Sequence, residues 1–366
     1  MITTSGRHVV LAVVGSVVLA FVLFLASGAN PFEAMGLLVQ GSIGSPRQLS
    51  TTLLVWIPLT LAAASLVITF SAGLWNIGVE GQIVLGAIGA TWVARSVGGP
   101  GWAVIPLAMI VAVVAGSLWA MLAGVLKLYG GVNEIFGGLG LDFVATGFAT
   151  YLIIGPWKRD GIASTSGTEL FREDVWLPTI GGENVSWVAL TLVVLAVIAV
   201  VLLMSGTSFG LKLKAVGTNL HSATRLGIPA NRYLLVAFAL GGSLAGLAGS
   251  TQVLGFTHKL VPSVSGGFGF LGILVVLLAG FRPILVAPIA FFFAAITVGT
   301  TFLELRIGVD SSVGGVLQGL LVLFVLLSGG WLRRRQAMAG TVPPEPAVPT
   351  PSGEVSADPA PAAGGV

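Results

Sequence analysis

Apolar runs about as long as a bilayer is thick recur along nearly the whole chain, and that feature leaves few folds open. They occupy residues 9–26, 52–70, 82–94, 102–126, 135–154, 187–204, 233–253, 268–280, 284–303 and 313–327. A helix rises about 1.5 Å per residue, so roughly 20 residues cross the ~30 Å hydrocarbon layer. A soluble domain would show amphipathic stripes and about 25% charged residues; this chain has 8%. Inside lipid each backbone N–H and C=O must be paired within its own segment, which makes runs of this length helical. The expected fold class is an all-α membrane protein of about ten transmembrane helices, with residues 1–330 as the transmembrane domain. Runs 82–94 and 268–280 are short for a crossing and point to tilted or broken helices.

Basic residues in short loops mark the cytoplasmic side. Arg333, Arg334 and Arg335 place the C-terminus there, and four runs earlier residues 206–232 hold Lys212, Lys214, Arg225 and Arg232. The parity of the runs puts this loop on the same side, and Arg7 does the same for the N-terminus. The first run exceeds the apolar core of a signal peptide and is read as an uncleaved span. Residues 156–186 then form an outer loop, with Asp160, Glu169, Glu173, Asp174 and Glu183 against Lys158, Arg159 and Arg172. Residues 331–366 turn to Pro, Ala, Gly and Ser and are expected to be a disordered cytoplasmic tail.

Several function classes drop out. The Lys and Arg residues are scattered and form no basic face for nucleic acid. There are no cysteines, and His8, His221 and His258 lie far apart, so neither a metal site nor a redox pair is expected. No phosphate-binding loop, dinucleotide fingerprint or nucleophile–base set is present, so the chain has no means of hydrolysing ATP and no expected cofactor or catalytic residues.

Polar residues inside or beside the runs are the informative exceptions. GLWNIGVEGQIVLGA, residues 73–87, carries Asn76, Glu80 and Gln82; GGVNEIFGGLGLDF, residues 130–143, carries Asn133, Glu134 and Asp142. A solvated turn accounts for Glu80, and a helix cap for Glu134. The functional reading makes all six candidates for a solute path or gate, because intramembrane polar groups need protein or water beside them. Asp142 is the strongest, about two turns into its helix. GGFGFLGILVVLLAG, residues 266–280, has a similar Gly-rich entry five spans after residues 73–87, as an inverted repeat would place it. In the 206–232 loop, Asn219 caps, Gly227 stops and Pro229 blocks a short helix over 220–226 suited to docking in a partner's groove. Gly242 and Gly246, four apart, suit close helix packing within the chain, with a subunit contact as the alternative.

GLWNIGVEGQ, GGVNEI followed by YLIIGPWK, AVGTNLHSATRLGI, GSLAGLAG and GFGFLGILVVLLA, in that order, resemble the permeases of bacterial simple-sugar and nucleoside ABC importers. The resemblance covers residues 30–331. It implies a fold similar to ribose- and cobalamin-importer permeases in the bacterial inner membrane. Its implied partners are a second permease, a tandem ABC ATPase and an extracytoplasmic solute-binding lipoprotein. Gly217, Thr218, Asn219, Ser222, Ala223, Arg225 and Gly227 match the family's ATPase-coupling segment. The GPWK of residues 155–158 looks like the nucleoside branch, with ribose- or galactose-type sugars as the alternative. The sequence departs from some relatives at Leu271, where they carry an acidic residue. A competing class is an ion-coupled secondary transporter using Asp142, Glu134 or Glu80, which would have no need of the docking helix.

Overall fold

The computed structural model describes residues 15, 18, 20–159, 161 and 166–338, with only the backbone for 328–338. Among them run thirteen α-helices: α1 Ala20–Ala26, α2 Pro31–Ile43, α3 Pro46–Ser71, α4 Val79–Ser96, α5 Gly101–Leu128, α6 Glu134–Ile154, α7 Trp187–Gly206, α8 Ser208–Thr218, α9 Leu220–Arg225, α10 Ala230–Gly255, α11 Phe268–Leu278, α12 Pro283–Ile307 and α13 Ser312–Met338. The described β-structure is one isolated bridge, Thr179 with Ser186.

Each apolar run coincides with a helix, or with part of one for the first, whose early residues and Arg7 lie outside the described residues. Six helices, α3, α5, α6, α7, α10 and α12, are long and apolar enough to cross a membrane alone. The count reaches seven if α1 and α2, bent by 109° at their junction, form one broken span. The figure falls below ten for a physical reason. The 11 residues of α11 span only about 16 Å at 1.5 Å each, half the hydrocarbon layer, and α4 carries Glu80, Gln82 and Arg95. Helix α13 continues to Met338, past the start of the expected tail at 331; residues 339–366 lie outside the described residues.

Local chemistry sets the helix ends. Ser45 accepts from the N–H of Gln48, with Pro46 opening α3; Ser186 caps α7 through Val188; Thr207 caps α8 through Gly210. Each satisfies an N–H that the first helical turn leaves without a carbonyl.

Helices α3, α4, α5 and α10 pack at the centre. The GGSLAGLAG stretch of α10 is what lets them meet: a Cβ on Gly246 would lie 2.2 Å from the Ala112 carbonyl oxygen of α5, and one on Gly86 of α4 would lie 2.4 Å from Gly246. Bare backbones in contact gain dispersion where lipid supplies no hydrophobic drive. This is packing within the chain. Helix α7 keeps an apolar outer surface, including exposed Val194, Leu195, Ile198 and Leu202, as α6 does with Phe136, Phe143 and Tyr151.

The bundle has two distinct ends. At one, the segment from Ser166 to Ser186 lies across the α10–α11 connection, with Phe171 N–H donating to the His258 carbonyl (2.8 Å) and Leu177 N–H to that of Leu254 (3.0 Å). The same end holds the start of α3, where Val185 N–H donates to the Ser50 hydroxyl at 3.2 Å. At the other end of α3, Phe70 meets Phe281 with centroids 6.1 Å apart, and the α8–α9 hairpin packs there.

Candidate functional site

The path candidates of the 73–87 segment converge on the start of α4. After α3 the chain turns at Gly73, φ +75°, and re-enters the bundle. Asn76 and Gln82 then pair through their amides, with Gln82 Nε2 donating to Asn76 Oδ1 at 2.8 Å and Asn76 Nδ2 to Gln82 Oε1 at 3.2 Å. Both are buried. Each amide thereby satisfies half of the other's hydrogen-bonding capacity away from water.

The two buried carboxylates of the cluster cap helices other than their own. Asp142 of α6 accepts from the N–H of Gly81, in the first turn of α4, at 2.7 Å. Glu80 of α4 accepts from the N–H groups of Gly269 and Phe270, in the first turn of α11, at 3.2 and 3.4 Å. The starts of α4 and α11 abut: a Cβ on Gly269 would be 2.6 Å from the Val79 side chain and 3.0 Å from the Glu80 nitrogen. Two helix N-termini, each with partial positive charge, face one another with a carboxylate between them. Asp142 lies eight residues past Glu134, so the junction sits about 12 Å inward from the start of α6. Asp142 Oδ2 and the indole nitrogen of Trp119 are buried with no hydrogen-bond partner among the described residues.

The other two candidates stand apart from this junction. Asn133 caps α6 by accepting from Ile135 N–H at 2.9 Å and is exposed. Glu134 forms an ion pair with Lys127 at 2.8 Å, beside the chain end of α5.

The expected docking helix is α9. Asn219 caps it by accepting from Ser222 N–H at 2.9 Å, and Gly227, φ +79°, ends it. Thr218, Ser222 and Arg225 are exposed, as is Leu226, which has 81% of its surface free. Ala223 is different, since it is buried against this chain. Gly217 touches the end of α3 so closely that a Cβ there would lie 2.2 Å from the Ser71 carbonyl oxygen, and Gly73 faces it. Residues 71–78 thus run from the α8–α9 hairpin directly to the Asn76–Glu80 cluster.

Helix α8 and the pairing of Glu80 with Gly269 and Phe270 carry no motif of their own in the sequence. The only sequence trace of the α11 partnership is that both segments are Gly-rich entries to short helices. A second polar lining, on α12 and α13 with Thr297, Thr300 and Gln318, was hidden because threonine and single glutamines barely interrupt an apolar run.

Residues 48–326 match the family model described as the permease component of branched-chain amino acid transport systems. The chain belongs to this permease family. A glucose ABC transporter permease of Haloferax volcanii is 32% identical over 340 residues, covering 90% of this chain and 89% of the relative. A nucleoside ABC transporter permease of Lactococcus lactis is 28% identical over 324 residues, covering 86% and 89%. A guanosine ABC transporter permease of Bacillus subtilis is 28% identical over 309 residues, covering 84% and 88%. The matched span takes in the α4–α11 junction and the α8–α9 hairpin, so both belong to the permease body.

Proposed function

We propose that this chain is the path-forming membrane subunit of an ATP-driven importer for nucleosides, working with a separate tandem ATPase, a second permease and an extracytoplasmic binding lipoprotein. Both termini and the α8–α9 hairpin face the cytoplasm, and the long apolar helices α3, α5, α6, α7, α10 and α12 supply crossings, with the shorter helices packed among them. The observation that carries the reading is the continuous link from the exposed α9 hairpin, through Gly217 and Gly73, to a polar junction of two buried helix starts. A tug on the hairpin is transmitted to that junction through backbone-to-backbone contact. Ion coupling gains less support, because Glu80 and Asp142 already accept from backbone N–H groups of α11 and α4 and so have structural partners without a bound ion. Simple sugars are the second reading, favoured by the likeness to a glucose permease.

Reconstitution in proteoliposomes tests this. The chain with its ATPase, second permease and binding protein should accumulate labelled guanosine or uridine only with ATP. Accumulation by the chain alone under a proton or sodium gradient would overturn it.

A further inference from the structure

A cavity of about 360 Å³ opens between α12 and α13 at the end of the bundle away from the α8–α9 hairpin. Thr297, Thr300, Thr301, Gln318, Leu271 and Asp310 are among the residues that line it. The threonine and glutamine donors of this wall are already committed. Thr297 Oγ1 donates to the Phe293 carbonyl (3.1 Å), Thr300 Oγ1 to that of Ile296 (2.8 Å) and Thr301 Oγ1 to that of Thr297 (3.0 Å). Gln318, 2% exposed, donates from Nε2 to the Phe293 carbonyl at 2.8 Å and to Thr297 Oγ1 at 3.0 Å. These bonds fix its amide with Oε1 unused, since no group among the described residues donates to that oxygen. What remains toward the cavity is a set of lone pairs on the three threonine hydroxyls and the Gln318 carbonyl, with Ser311, Ser312 and one apolar side chain beside them.

We propose that this cavity is a sugar-ring site on the solute path. The inference rests on the permease reading above and deepens it. An acceptor-rich wall needs a ligand that supplies several O–H donors, and an apolar neighbour such as Leu271 suits the C–H face of a sugar ring. The volume falls within the usual range of about 300–1,000 Å³ for small-molecule pockets. A cation would need more negative charge than this wall offers, because Asp310 is the single carboxylate and sits exposed at the rim, accepting from Ser312 N–H at 2.8 Å. The cavity also has the right connections. Leu271 lies in the first two turns of α11, the helix capped by Glu80. Thr297 and Thr301 are shared with a neighbouring cavity of about 420 Å³ that reaches Arg47, which in turn faces Glu183 and Asn184 of the 156–186 loop. A solute released at that loop meets this wall before the α4–α11 junction.

The ligand chemistry is that of a ribose or hexose ring, free or within a nucleoside, and parallel uptake of ribose, glucose and guanosine separates these sources. The complete reconstituted transporter is compared as wild type and with Gly315→Leu, Gln318→Leu and Thr301→Val. Gly315 lines the cavity and a Cβ there meets nothing within 4 Å, so a side chain can start from this position without a backbone clash. A control, Phe143→Leu, changes a side chain that is 72% exposed on the α6 surface. Uptake of the transported solute should fall about tenfold or more with Gly315→Leu and Gln318→Leu, as a site built for solute hydroxyls loses fit or an acceptor. Subunit assembly and solute-independent ATP hydrolysis should stay at wild-type levels, and the control should transport normally. If Gln318→Leu lowers the yield of folded protein, Gly315→Leu decides. Wild-type uptake by assembled Gly315→Leu protein overturns the site. Failure of the wild-type complex to transport any of the three solutes with ATP would instead strike the permease reading.

Discussion

A carboxylate at the centre of a membrane helix costs about 2.5–3.5 kcal/mol on insertion scales, so Glu80 and Asp142 must recover that cost within the protein. They do so by accepting from the first-turn N–H groups of α11 and α4, donors that would themselves be stranded in an apolar bundle. This predicts an ordered pair of outcomes at each position. Glu80→Gln keeps an acceptor oxygen for Gly269 and should assemble nearly as wild type. Glu80→Leu strands two N–H groups and should cost about 1–3 kcal/mol for a lost buried partner, read as a lower midpoint of thermal unfolding in detergent. Asp142→Asn and Asp142→Leu should follow the same order through Gly81. Equal midpoints for the amide and leucine forms would remove the capping role and restore a role limited to the path. The sequence exposes these residues as costly, because an isolated charge in an apolar run stands out. It conceals their partners, because Glu80 and Gly269 are separated by 189 positions and Asp142 and Gly81 by 61.

Helix α9 shows what is legible at the scale of an element: a capping Asn219, a left-handed Gly227 and a following Pro229 define a helix from six residues. Its orientation was not legible, and that alters the useful mutations. Ala223 faces its own chain, so Ala223→Trp should lower the amount of folded protein by overpacking. Leu226 is the more exposed of the two free leucines, Leu220 and Leu226, so Leu226→Glu should leave the protein folded and reduce copurification with the ATPase; undiminished copurification would detach this hairpin from the partner. Helices α2 and α8 leave little trace in the sequence because each lies beside a longer run or within a charged loop. The loop at the opposite end gives a pH test. His258 is partly buried and stacks on Trp176 with centroids 4.0 Å apart, and burial lowers its pKa below the ordinary 6.5. The unfolded chain then takes up the proton first as pH falls. The stabilising contribution is complete above about pH 6.5 and is lost as pH drops through that value toward the lower folded pKa. Unfolding midpoints measured from pH 7.5 down to about pH 5 should fall more for wild type than for His258→Phe. Parallel pH curves would rule out this linkage.

For the whole molecule, the deciding quantity is which end faces the cytoplasm. Packing fixes the two ends relative to each other: the 166–186 segment, the start of α3 and the α12–α13 turn share one, and the α8–α9 hairpin with the end of α3 shares the other. The proposal above, from basic-residue bias, puts the hairpin end inside. The absence of cysteine from the chain makes the assignment directly measurable, because any introduced thiol is the sole target. Glu173→Cys and Ser311→Cys report the first end; Lys212→Cys and Arg225→Cys report the second. Glu173, Lys212 and Arg225 are exposed and unburied by any neighbour, so the substitutions should fold. A membrane-impermeant maleimide added to intact cells or spheroplasts should label positions 173 and 311 and spare 212 and 225 until the membrane is permeabilised. The reverse pattern would invert the orientation while keeping the two-ended architecture, and would place the sugar-ring cavity at the cytoplasmic mouth. Labelling of 173 and 212 from the same side would break the architecture itself, since α7 alone separates them and its 20 residues reach about 30 Å, the full hydrocarbon thickness.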